Sequence, residues 1–363
     1  MVSIVNEISL LHFKNYLEKK FQFSKRIICI YGKNGCGKTT ILDAIHYLCF
    51  TKSYFLHVDS QCVTNGQQGM RIHGIITREK QNEINCILRE NGKKEFSLNG
   101  ELYAQFSKHI GRFPCVFITP DDTLLITEGS EVRRKFLDSM ISQTNAKYLD
   151  QLIQYAKCLQ QRNALLKQWS TSVEKDFSLL SIYSKKLHEL GTSIFQIRKE
   201  FCEVFIEHVN RIYTLLCNEQ ELIQVQYSSQ LEHDSLLNML DRYIDKDIYS
   251  QRTNYGIHKD DLVFTLNTMP LKQVASQGQR KSFLFSLKLA QFQIIKAITN
   301  NSPILLLDDI FEKLDQERSF KLIDYLLDEE CQVFITDTHE ERLKQAFLGH
   351  DDEVEYLDLS VTI

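Results

Sequence analysis

Several features that are missing from the sequence exclude whole classes of protein. No apolar run approaches the roughly 18 residues that a membrane-spanning helix needs. The first residues, MVSIVNEISLLHFKNY, have no charged segment before an apolar core, so they are not typical of a signal peptide. The 10 cysteines include no C-x-x-C pair and no Cys/His cluster at zinc spacing. We therefore expect a protein of the reducing cytoplasm, with buried cysteines and no membrane contact.

Neither sign of charge is in large excess. The formal net charge is −4 over 363 residues, with 43% hydrophobic and 25% charged residues, which is ordinary for a globular protein. A chain of this length predicts two domains, or one core with an insertion. Because no basic field covers the whole chain, any nucleic-acid site must be a local patch.

Proline is absent and glycine is nearly absent between Ser130 and Cys217, where Gly191 is the only glycine. Apolar residues in this stretch follow helical spacing at 149, 152, 153 and 156, and then form an a/d seam at 187, 190, 194, 197, 201 and 204. The seam is short, so the pattern favours a compact helical bundle over a long coiled coil. We expect a further helix at residues 235–248 to belong to this bundle.

Short apolar runs on both sides of this helical stretch predict buried strands. A turn at Asn91-Gly92 predicts a hairpin within a meander over residues 69–98. Because most of the other runs alternate with helical patterns, they favour parallel pairing. These other runs lie at residues 2–11, 20–23, 26–30, 113–119, 262–266, 304–307 and 333–336.

One motif between a predicted strand and a predicted helix fits the phosphate-binding pattern G-x-x-x-x-G-K-[ST] in full. Its glycines would let backbone N–H groups point at phosphate oxygens. Lys38 would reach the β- and γ-phosphates, and the Thr39 hydroxyl would bind Mg²⁺. The motif is Gly32-Lys33-Asn34-Gly35-Cys36-Gly37-Lys38-Thr39, followed by Thr40.

The apolar run at 304–307 ends in Asp308 and Asp309, as a second nucleotide motif requires. Asp308 would hold Mg²⁺ directly or through water. Asp309 would lie near the γ-phosphate and orient or deprotonate the attacking water, unless it serves as a helix cap. Glu312 and Asp315 follow closely, and either could share that role.

A third string, Ser276-Gln277-Gly278-Gln279, opens a predicted helix about 30 residues before the acidic strand. A serine hydroxyl and backbone N–H groups at a helix start can bind an anion. The string alone is equally compatible with an ordinary helix cap.

A P-loop, S-x-G-Q, an apolar strand ending in two acids, and Leu314-Asp315 follow one another as in ABC-type ATPases of the SMC kind. Within that group the chain resembles the RecF family nearly from end to end. The strings that carry the resemblance are Phe13-Lys14-Asn15-Tyr16, Gly129, Arg133-Arg134-Lys135-Phe136-Leu137-Asp138, Gly256-Ile257-His258-Lys259-Asp260-Asp261, and residues 159–167, 275–280, 287–290, 306–315 and 332–336.

The resemblance implies an α/β fold, an ABC-type P-loop ATPase head with a mixed sheet and flanking helices. Residues 1–125 and 255–363 would form the head, and residues 126–254 would form an inserted helical lobe. It also implies an ATP-dependent head-to-tail homodimer, with each ATP between residues 32–39 of one subunit and residues 276–278 of the other.

The residue roles that the resemblance implies fall into three groups. Lys38, Asp309 and Glu312 would act in catalysis, and Thr39 and Asp308 would bind Mg²⁺. The ATP-binding set would be Gly32, Lys33, Asn34, Gly35, Cys36, Gly37, Lys38, Thr39, Thr40, Ser276, Gly278 and Gln279.

The RecF resemblance also implies partners. They are double-stranded or gapped DNA and single-strand/double-strand junctions, together with RecO and RecR, which help to load RecA on single strands during recombinational repair and SOS induction. Candidate DNA contacts are Lys14, Lys19, Lys20, Arg133, Arg134, Lys135, Lys185 and Lys186.

Some positions depart from the family pattern, and other functions stay open. Lys259 replaces a common arginine, and His339 follows slightly after the place of the ABC switch histidine. The alternatives are another SMC-like ATPase of phage defence, the ATPase subunit of a transporter, and a P-loop kinase. No cluster of nuclease carboxylates follows residue 340, and the RecF-like strings in the insertion argue against a transporter subunit.

Overall fold

The computed structural model describes residues 1–169, 175–217, 223–312 and 316–360. The chain divides into two compact units. The first unit comprises Met1–Thr123, Arg211–Glu219 and Ser276–Ile363, and the second comprises Leu124–Asn210 and Gln220–Ala275.

The described part of the chain contains both short strands and long helices. The strands are β1 (Ile4–Phe13), β2 (Tyr16–Gln22), β3 (Ile27–Tyr31), β4 (Met70–Thr77), β5 (Gln81–Leu88), β6 (Lys94–Leu98), β7 (Glu101–Leu102), β8 (Cys115–Ile118), β9 (Ile223–Ser228), β10 (Asp261–Leu266), β11 (Met269–Pro270), β12 (Ile304–Leu307), β13 (Val333–Asp337) and β14 (Val354–Asp358).

The helices are α1 (Lys38–Phe50), α2 (Leu124–Thr127), α3 (Ser130–Thr144), α4 (Ala146–Gln168), α5 (Phe177–Cys217), α6 (Leu236–Arg242), α7 (Ile244–Ser250), α8 (Leu271–Val274), α9 (Gln277–Thr299), α10 (Gln316–Asp328) and α11 (Glu340–Ala346). Short 3₁₀ helices span Asp59–Cys62, Phe106–Lys108, Pro120–Thr123, Gln230–Glu232, Ile257–Lys259 and Ile310–Glu312.

The first unit contains a five-stranded parallel sheet in the order β14-β3-β13-β12-β8. β3, β13, β12 and β8 are buried along almost their whole length, as expected when both faces of a parallel sheet are covered. Because all five strands run the same way, the loops after β3, β8, β12 and β13 leave from one edge of the sheet. That edge carries the candidate site.

A second, antiparallel sheet in the same unit has the order β2-β1-β4-β5-β6-β7. Helix α1 contacts β1, β4 and β5 of this sheet and β8 and β13 of the parallel sheet. It is therefore buried on nearly all sides, which explains why its sequence is not clearly amphipathic. Gly74 of β4 lets α1 approach, because a Cβ at this position would collide with Leu48.

The structure confirms the strands predicted from apolar runs, including the hairpin at Asn91-Gly92 between β5 and β6. Four further strands, β7, β9, β11 and β14, were not predicted from the sequence. β9 alternates buried and exposed residues over Ile223–Ser228, and β14 contributes an edge strand beside β3. The predicted helix at 235–248 is two short helices, α6 and α7, which meet at Tyr243.

Residues 255–275, which were predicted to belong to the head, lie in the second unit. The physical reason is strand pairing, since β10 pairs with β9 in antiparallel register from Asp261 opposite Ser228 to Leu266 opposite Ile223. β10 and β11 thus complete a three-stranded sheet, β11-β10-β9, that packs with the helices of this unit.

The helices predicted for 130–217 are confirmed, but the predicted buried faces were partly wrong. Ile153 is exposed on α4, whose buried side chains are Tyr148, Tyr155, Cys158, Arg162 and Leu166. On α5 the seam residues Leu187, Leu190, Ile194 and Phe201 are buried and Ile197 is half-buried, whereas Val204 is 48% exposed. Burial instead continues at Phe205, Val209 and Ile212, because the helix turns every 3.6 residues.

Buried ion pairs explain why α4 departs from an apolar pattern. Arg162 is fully buried, and its Nη1 lies 2.7 Å from Asp247 Oδ2 and 2.7 Å from Thr253 Oγ1. Arg198 of α5 contacts Asp138 and Asp260, both at 2.8 Å. These charges hold α3, α4, α5 and α7 together inside the second unit.

The nine cysteines of the described residues whose side chains are placed are all free and buried. Within the described ranges, each helix is either too short or too polar to cross a lipid bilayer.

Arg162→Met should lower the free energy of unfolding of the second unit by about 3–5 kcal/mol, because Asp247 would keep a buried charge without its partner. Adding Asp247→Asn should recover most of this loss. Urea unfolding followed by circular dichroism measures both changes. The matched control is Lys135→Met, which breaks the exposed Lys135–Glu131 pair and should cost less than about 1 kcal/mol. Equal losses for Arg162→Met and Lys135→Met would contradict the prediction.

Candidate functional site

The phosphate-binding loop connects β3 to α1 at the carboxyl edge of the parallel sheet. Gly35 and Gly37 have φ values of 82° and 101°, which side chains other than glycine rarely adopt. A Cβ on Gly37 would also lie 2.6 Å from Tyr16 Cζ and 2.8 Å from Asn15 Nδ2. The loop therefore needs glycine at position 37 for both conformation and space.

The turn between β1 and β2 contacts the phosphate-binding loop. The Tyr16 hydroxyl donates to the Cys36 carbonyl at 3.3 Å, while Cys36 itself is buried. Lys33, Asn34 and Gly35 are exposed at the loop tip, as a surface that meets phosphates must be. Phe13-Lys14-Asn15-Tyr16, noted in the sequence as a family string, is thus part of the structure that shapes the loop.

Lys38, the first residue of α1, is buried, and its ammonium group donates back to the loop. Its Nζ lies 2.8 Å from the Gly32 carbonyl and 3.2 Å from the Lys33 carbonyl. The charge is therefore held at the concave side of the loop, where phosphate oxygens would bind. Thr40, also assigned to the ATP site, is buried one residue beyond Thr39.

Thr39 and Asp308 meet although 269 positions separate them. The Thr39 hydroxyl lies 3.0 Å from Asp308 Oδ1 and 2.9 Å from Oδ2. On the other side, the Thr336 hydroxyl of β13 donates to Asp308 Oδ1 at 2.7 Å. Burial raises the pKa of Asp308, and the hydroxyls of Thr336 and Thr39 and the charge of Lys38 oppose this rise.

Asp309 follows in a left-handed conformation, with φ of 46°. Its backbone N–H donates to the Thr336 hydroxyl at 2.9 Å. A non-glycine residue at positive φ is uncommon, and Asp and Asn tolerate it best. Thr336 therefore fixes both acidic residues, with the Asp308 side chain as acceptor and the Asp309 backbone as donor. This role was not predicted from the sequence, where the only signal was a buried strand ending in polar residues.

The oxygen atoms of Thr39 and Asp308 fit a magnesium ion. Mg²⁺ binds oxygen at 2.0–2.1 Å in octahedral geometry, so two adjacent ligands are about 2.9 Å apart. The observed separations of 2.9 and 3.0 Å match this value. Among the described residues no group of three or more His, Cys, Asp or Glu side chains gathers at a metal-binding distance. A magnesium ion here would therefore take its other ligands from phosphate and water.

A buried polar network behind the loop was also missed from the sequence. Asp43 of α1 is fully buried, and Lys14 Nζ lies 2.6 Å from its Oδ2. Its carboxylate also accepts from the Ser53 hydroxyl and the Tyr54 backbone N–H, both at 2.7 Å. Lys14, predicted from the sequence as a candidate DNA contact, instead neutralises this carboxylate.

Tyr54 connects this network to α9. Its hydroxyl donates to Asp122, which follows β8, and accepts from Lys288 Nζ at 3.1 Å. Lys288 also lies 2.7 Å from Asp122 Oδ1 and donates to the Phe117 carbonyl at 2.8 Å. Since the Asp308 backbone N–H donates to the Ile118 carbonyl at 2.9 Å, β8 carries contacts to both α9 and the acidic strand.

Ser276 caps α9 in a reciprocal arrangement with Gln279. The Gln279 backbone N–H donates to the Ser276 hydroxyl at 3.2 Å, and the Ser276 N–H donates to Gln279 Oε1 at 2.6 Å. Gln277 and Gly278 are already helical, so α9 begins within the predicted string. Ser276 and Gln277 are exposed in the single chain.

Three sets of predicted residues remain, namely the acidic residues that follow Asp309, His339 and the candidate DNA contacts. The side chain of Glu312 and all of Asp315 lie outside the described residues. His339 is exposed, and its backbone N–H donates to buried Asp337 at 2.8 Å. Among the DNA candidates, Lys185 and Lys186 are exposed. Four other candidates contact residues of their own chain. Lys20 pairs with Glu7, Arg133 with Asp261 and Lys135 with Glu131, and Arg134 donates to the Asp260 carbonyl.

Comparisons with known proteins identify the family of the chain. Residues 4–354 match the model of the RecF/RecN/SMC N-terminal domain. The chain is 46% identical to the DNA replication and repair protein RecF of Flavobacterium johnsoniae, over 93% of this chain and 95% of that protein. It is 41% identical to that of Cytophaga hutchinsonii, over 93% and 90% of the two chains.

Solved structures give the same result. A structure described as the recombination mediator protein RecF-ATPrS in the RecFOR pathway matches with a TM-score of 0.87 and 28% identity, over 93% of each chain. The Smc head domain of Pyrococcus furiosus shares the fold, with a TM-score of 0.54 and 16% identity over 94% and 91% of the two chains. The chain therefore belongs to the RecF family of DNA replication and repair proteins, which have an ABC-type ATPase fold.

Proposed function

We propose that the protein is an ATP-dependent DNA-binding ATPase of recombinational repair. ATP binding joins two copies head to tail on double-stranded or gapped DNA, and slow hydrolysis releases them. With RecO and RecR it assists the loading of RecA on single strands, a role carried out in the cytoplasm. One observation carries the ATPase part of the proposal, namely the meeting of Thr39 and Asp308 at the edge of the parallel sheet.

The residues of one chain supply most of the nucleotide site. The backbone N–H groups of residues 32–37 and the Lys38 ammonium group would bind phosphate oxygens. Thr39 and Asp308 would hold Mg²⁺, which would neutralise phosphate charge. Asp309 would orient the attacking water, with Glu312 as the other candidate for this role.

The exposed cap of α9 supports a site that two chains share. In the single chain Ser276 and Gln277 face solvent at a helix start, where a hydroxyl and N–H groups can meet an anion. A second copy would bring this cap to the γ-phosphate of the first chain. Catalysis then depends mainly on positioning and charge stabilisation, which agrees with slow turnover.

Ser276→Arg should leave ATP binding unchanged at protein concentrations too low for dimers and should abolish the ATP-dependent dimer at higher concentrations, because the cap acts on the nucleotide of the other copy. Nucleotide binding and sedimentation velocity, each with a non-hydrolysable ATP analogue, measure the two properties. Ser235→Arg is the matched control, because Ser235 also caps a helix and accepts from the Asn238 N–H at 3.2 Å. Each change removes a cap of about 1 kcal/mol. A normal ATP dimer of the Ser276 variant would rule out the shared site.

Asp309→Asn should slow hydrolysis by at least about 100-fold, the lower range for loss of a general base. ATP binding should persist, so the dimer should stay on DNA much longer. Single-turnover hydrolysis and dissociation from immobilised DNA measure the two rates. If hydrolysis is unchanged in this variant, the water-positioning role moves to Glu312 or another residue.

Asp308→Asn should stabilise the nucleotide-free protein at neutral pH while it abolishes hydrolysis. Burial raises the pKa of Asp308, so its ionisation weakens folding as the pH rises through the folded-state pKa. The neutral amide removes this penalty, and the midpoint of thermal unfolding should rise by about 2–4 °C for each kcal/mol regained.

Thermal unfolding between pH 4 and pH 8 tests this prediction for Asp308. The gain over the wild type should shrink toward pH 4, because the penalty for ionising Asp308 in the folded state accumulates only above the unfolded-state pKa of about 3.9. Asp241→Asn, at an exposed position, is the control and should change neither stability nor hydrolysis. A lower midpoint for Asp308→Asn at pH 7.5 would show that the charged carboxylate stabilises the fold.

A further inference from the structure

A surface of the second unit combines exposed tyrosines with basic side chains that the nucleotide site does not use. We call it the tyrosine–lysine surface. It lies on Tyr243, on α7, which follows it, and on the segment after α7. Its residues are the exposed Tyr243, Lys246, Tyr249, Arg252 and Lys259 and the half-buried Tyr255.

The inner side of α7 is fixed in the unit, so its outer side is defined. Ile244 and Ile248 pack against the cluster of Leu166, Trp169 and Leu180, and Asp247 pairs with Arg162. Lys246 and Tyr249, three positions apart, therefore share the opposite side of the helix. Tyr249 is 91% exposed, more than any other large apolar or aromatic side chain that the structure describes.

The two other tyrosines form a rigid platform beside this helix. The rings of Tyr243 and Tyr255 are stacked, with centroids 4.5 Å apart and planes 15° from parallel. Lys246 Nζ lies 5.3 Å from the centroid of Tyr255, within the range of a cation–π contact. An aromatic face and a cation are thus held together at the surface.

Hydrogen bonds of His258 hold the segment after α7 in a closed loop. His258 Nε2 lies 3.0 Å from the Thr253 carbonyl, and His258 Nδ1 lies 3.0 Å from the Tyr155 hydroxyl. Arg252 and Lys259 flank the two ends of this loop. Desolvation first, and then the charges of Arg252, Arg134 and Lys246, lower the pKa of Lys259, as expected for neighbouring cations.

The carboxylates of the same segment are mostly neutralised inside the unit. Asp260 pairs with Arg198 at 2.8 Å, Asp261 with Arg133 at 2.7 Å and Asp247 with Arg162 at 2.7 Å. Asp245 remains exposed on α7. Among the described residues, none forms an ion pair with Lys246, Arg252 or Lys259, so the surface presents net positive charge.

We propose that the tyrosine–lysine surface binds single-stranded DNA, with phosphates on Lys246, Arg252 and Lys259 and an unpaired base stacked on Tyr249. Duplex DNA offers phosphates to lysines but keeps its bases stacked within the helix. Cations interleaved with exposed aromatic rings are instead the chemistry of single-strand binding. This surface would hold the unpaired strand of a gap or junction, and it requires neither the ATP site nor the proposed dimer.

Binding is measured by fluorescence anisotropy with a labelled thymidine 30-mer and a blunt 30-base-pair duplex, with and without an ATP analogue. Tyr249→Ala should weaken single-strand binding by roughly 5- to 100-fold, the range for loss of one stacked base. Duplex binding should change less than about 2-fold, and Tyr249→Phe should retain the single-strand affinity. Because Tyr249 is 91% exposed, the fold should tolerate both changes.

Charge reversal tests the cations. Lys246→Glu, Arg252→Glu and Lys259→Glu together should reduce single-strand affinity at least about 10-fold. They should also make the negative slope of log affinity against log salt shallower by about 2, since each phosphate contact contributes about −0.7. The matched control reverses Lys147, Lys157 and Lys199, which are exposed on α4 and α5 of the same unit.

The outcomes separate this proposal from its rivals and from the proposed function. Equal losses for both triple variants would show a general charge effect and overturn the proposal. Equal losses on duplex and single strand, or no loss for Tyr249→Ala, would also overturn it and would favour a duplex or an acidic protein segment as the partner. If Tyr249→Ala weakens binding of the single strand equally with and without the ATP analogue, the result supports the proposal. This holds even if the analogue-dependent dimer fails to form.

Discussion

The loop, the acidic strand and β13 of the first unit meet around a buried carboxylate that is held by hydroxyl groups. Asp308 is 5% exposed, and the hydroxyls of Thr39 and Thr336 lie within 3.0 Å of it. Burying a carboxylate is unfavourable, and the raised pKa of Asp308 expresses that penalty. A divalent cation would offset this penalty, so the same buried carboxylate would favour the binding of a magnesium nucleotide. The loop, the acidic strand and β13 must therefore meet at one edge of the sheet.

Buried polar side chains connect α1, which begins at the P-loop, to α9, which begins at the Ser276–Gln279 string. Asp43 on α1 is neutralised by Lys14 and contacts Tyr54. Tyr54 in turn contacts Asp122 and also Lys288, which lies on α9. In an otherwise apolar core, buried charged pairs tolerate few alternative arrangements, since a charge left without its partner costs several kcal/mol. The P-loop helix and the capped helix are thus set in a fixed relation within one chain, and a displacement of either strains the residues between them.

The sequence predicted the parts of this unit that rest on local patterns. The loop, the strand ending in Asp308 and Asp309, and most strands follow from short motifs and apolar runs. Contacts between distant residues were not predictable in the same way. The prediction misplaced the buried face of α4, because charged and polar side chains are usually exposed and aliphatic ones buried. On α4, Arg162, Tyr148 and Tyr155 are buried while Ile153 is exposed. Thr336 and Lys288 were missed because a single hydroxyl or ammonium group acquires its role only when strands and helices pack.

The position of the capping serine is compatible with the proposed site that a second copy completes. Within one chain, the P-loop lysine is buried and already hydrogen-bonded, and Thr39 and Asp308 are in contact. Ser276, by contrast, is exposed, and its hydroxyl is engaged in capping its own helix. A helix start that is pre-formed yet faces solvent can meet a second nucleotide without rearranging its backbone, which lowers the entropic cost of association. Nucleotide binding and self-association would then be one equilibrium, and the affinity of each chain for ATP would depend on protein concentration.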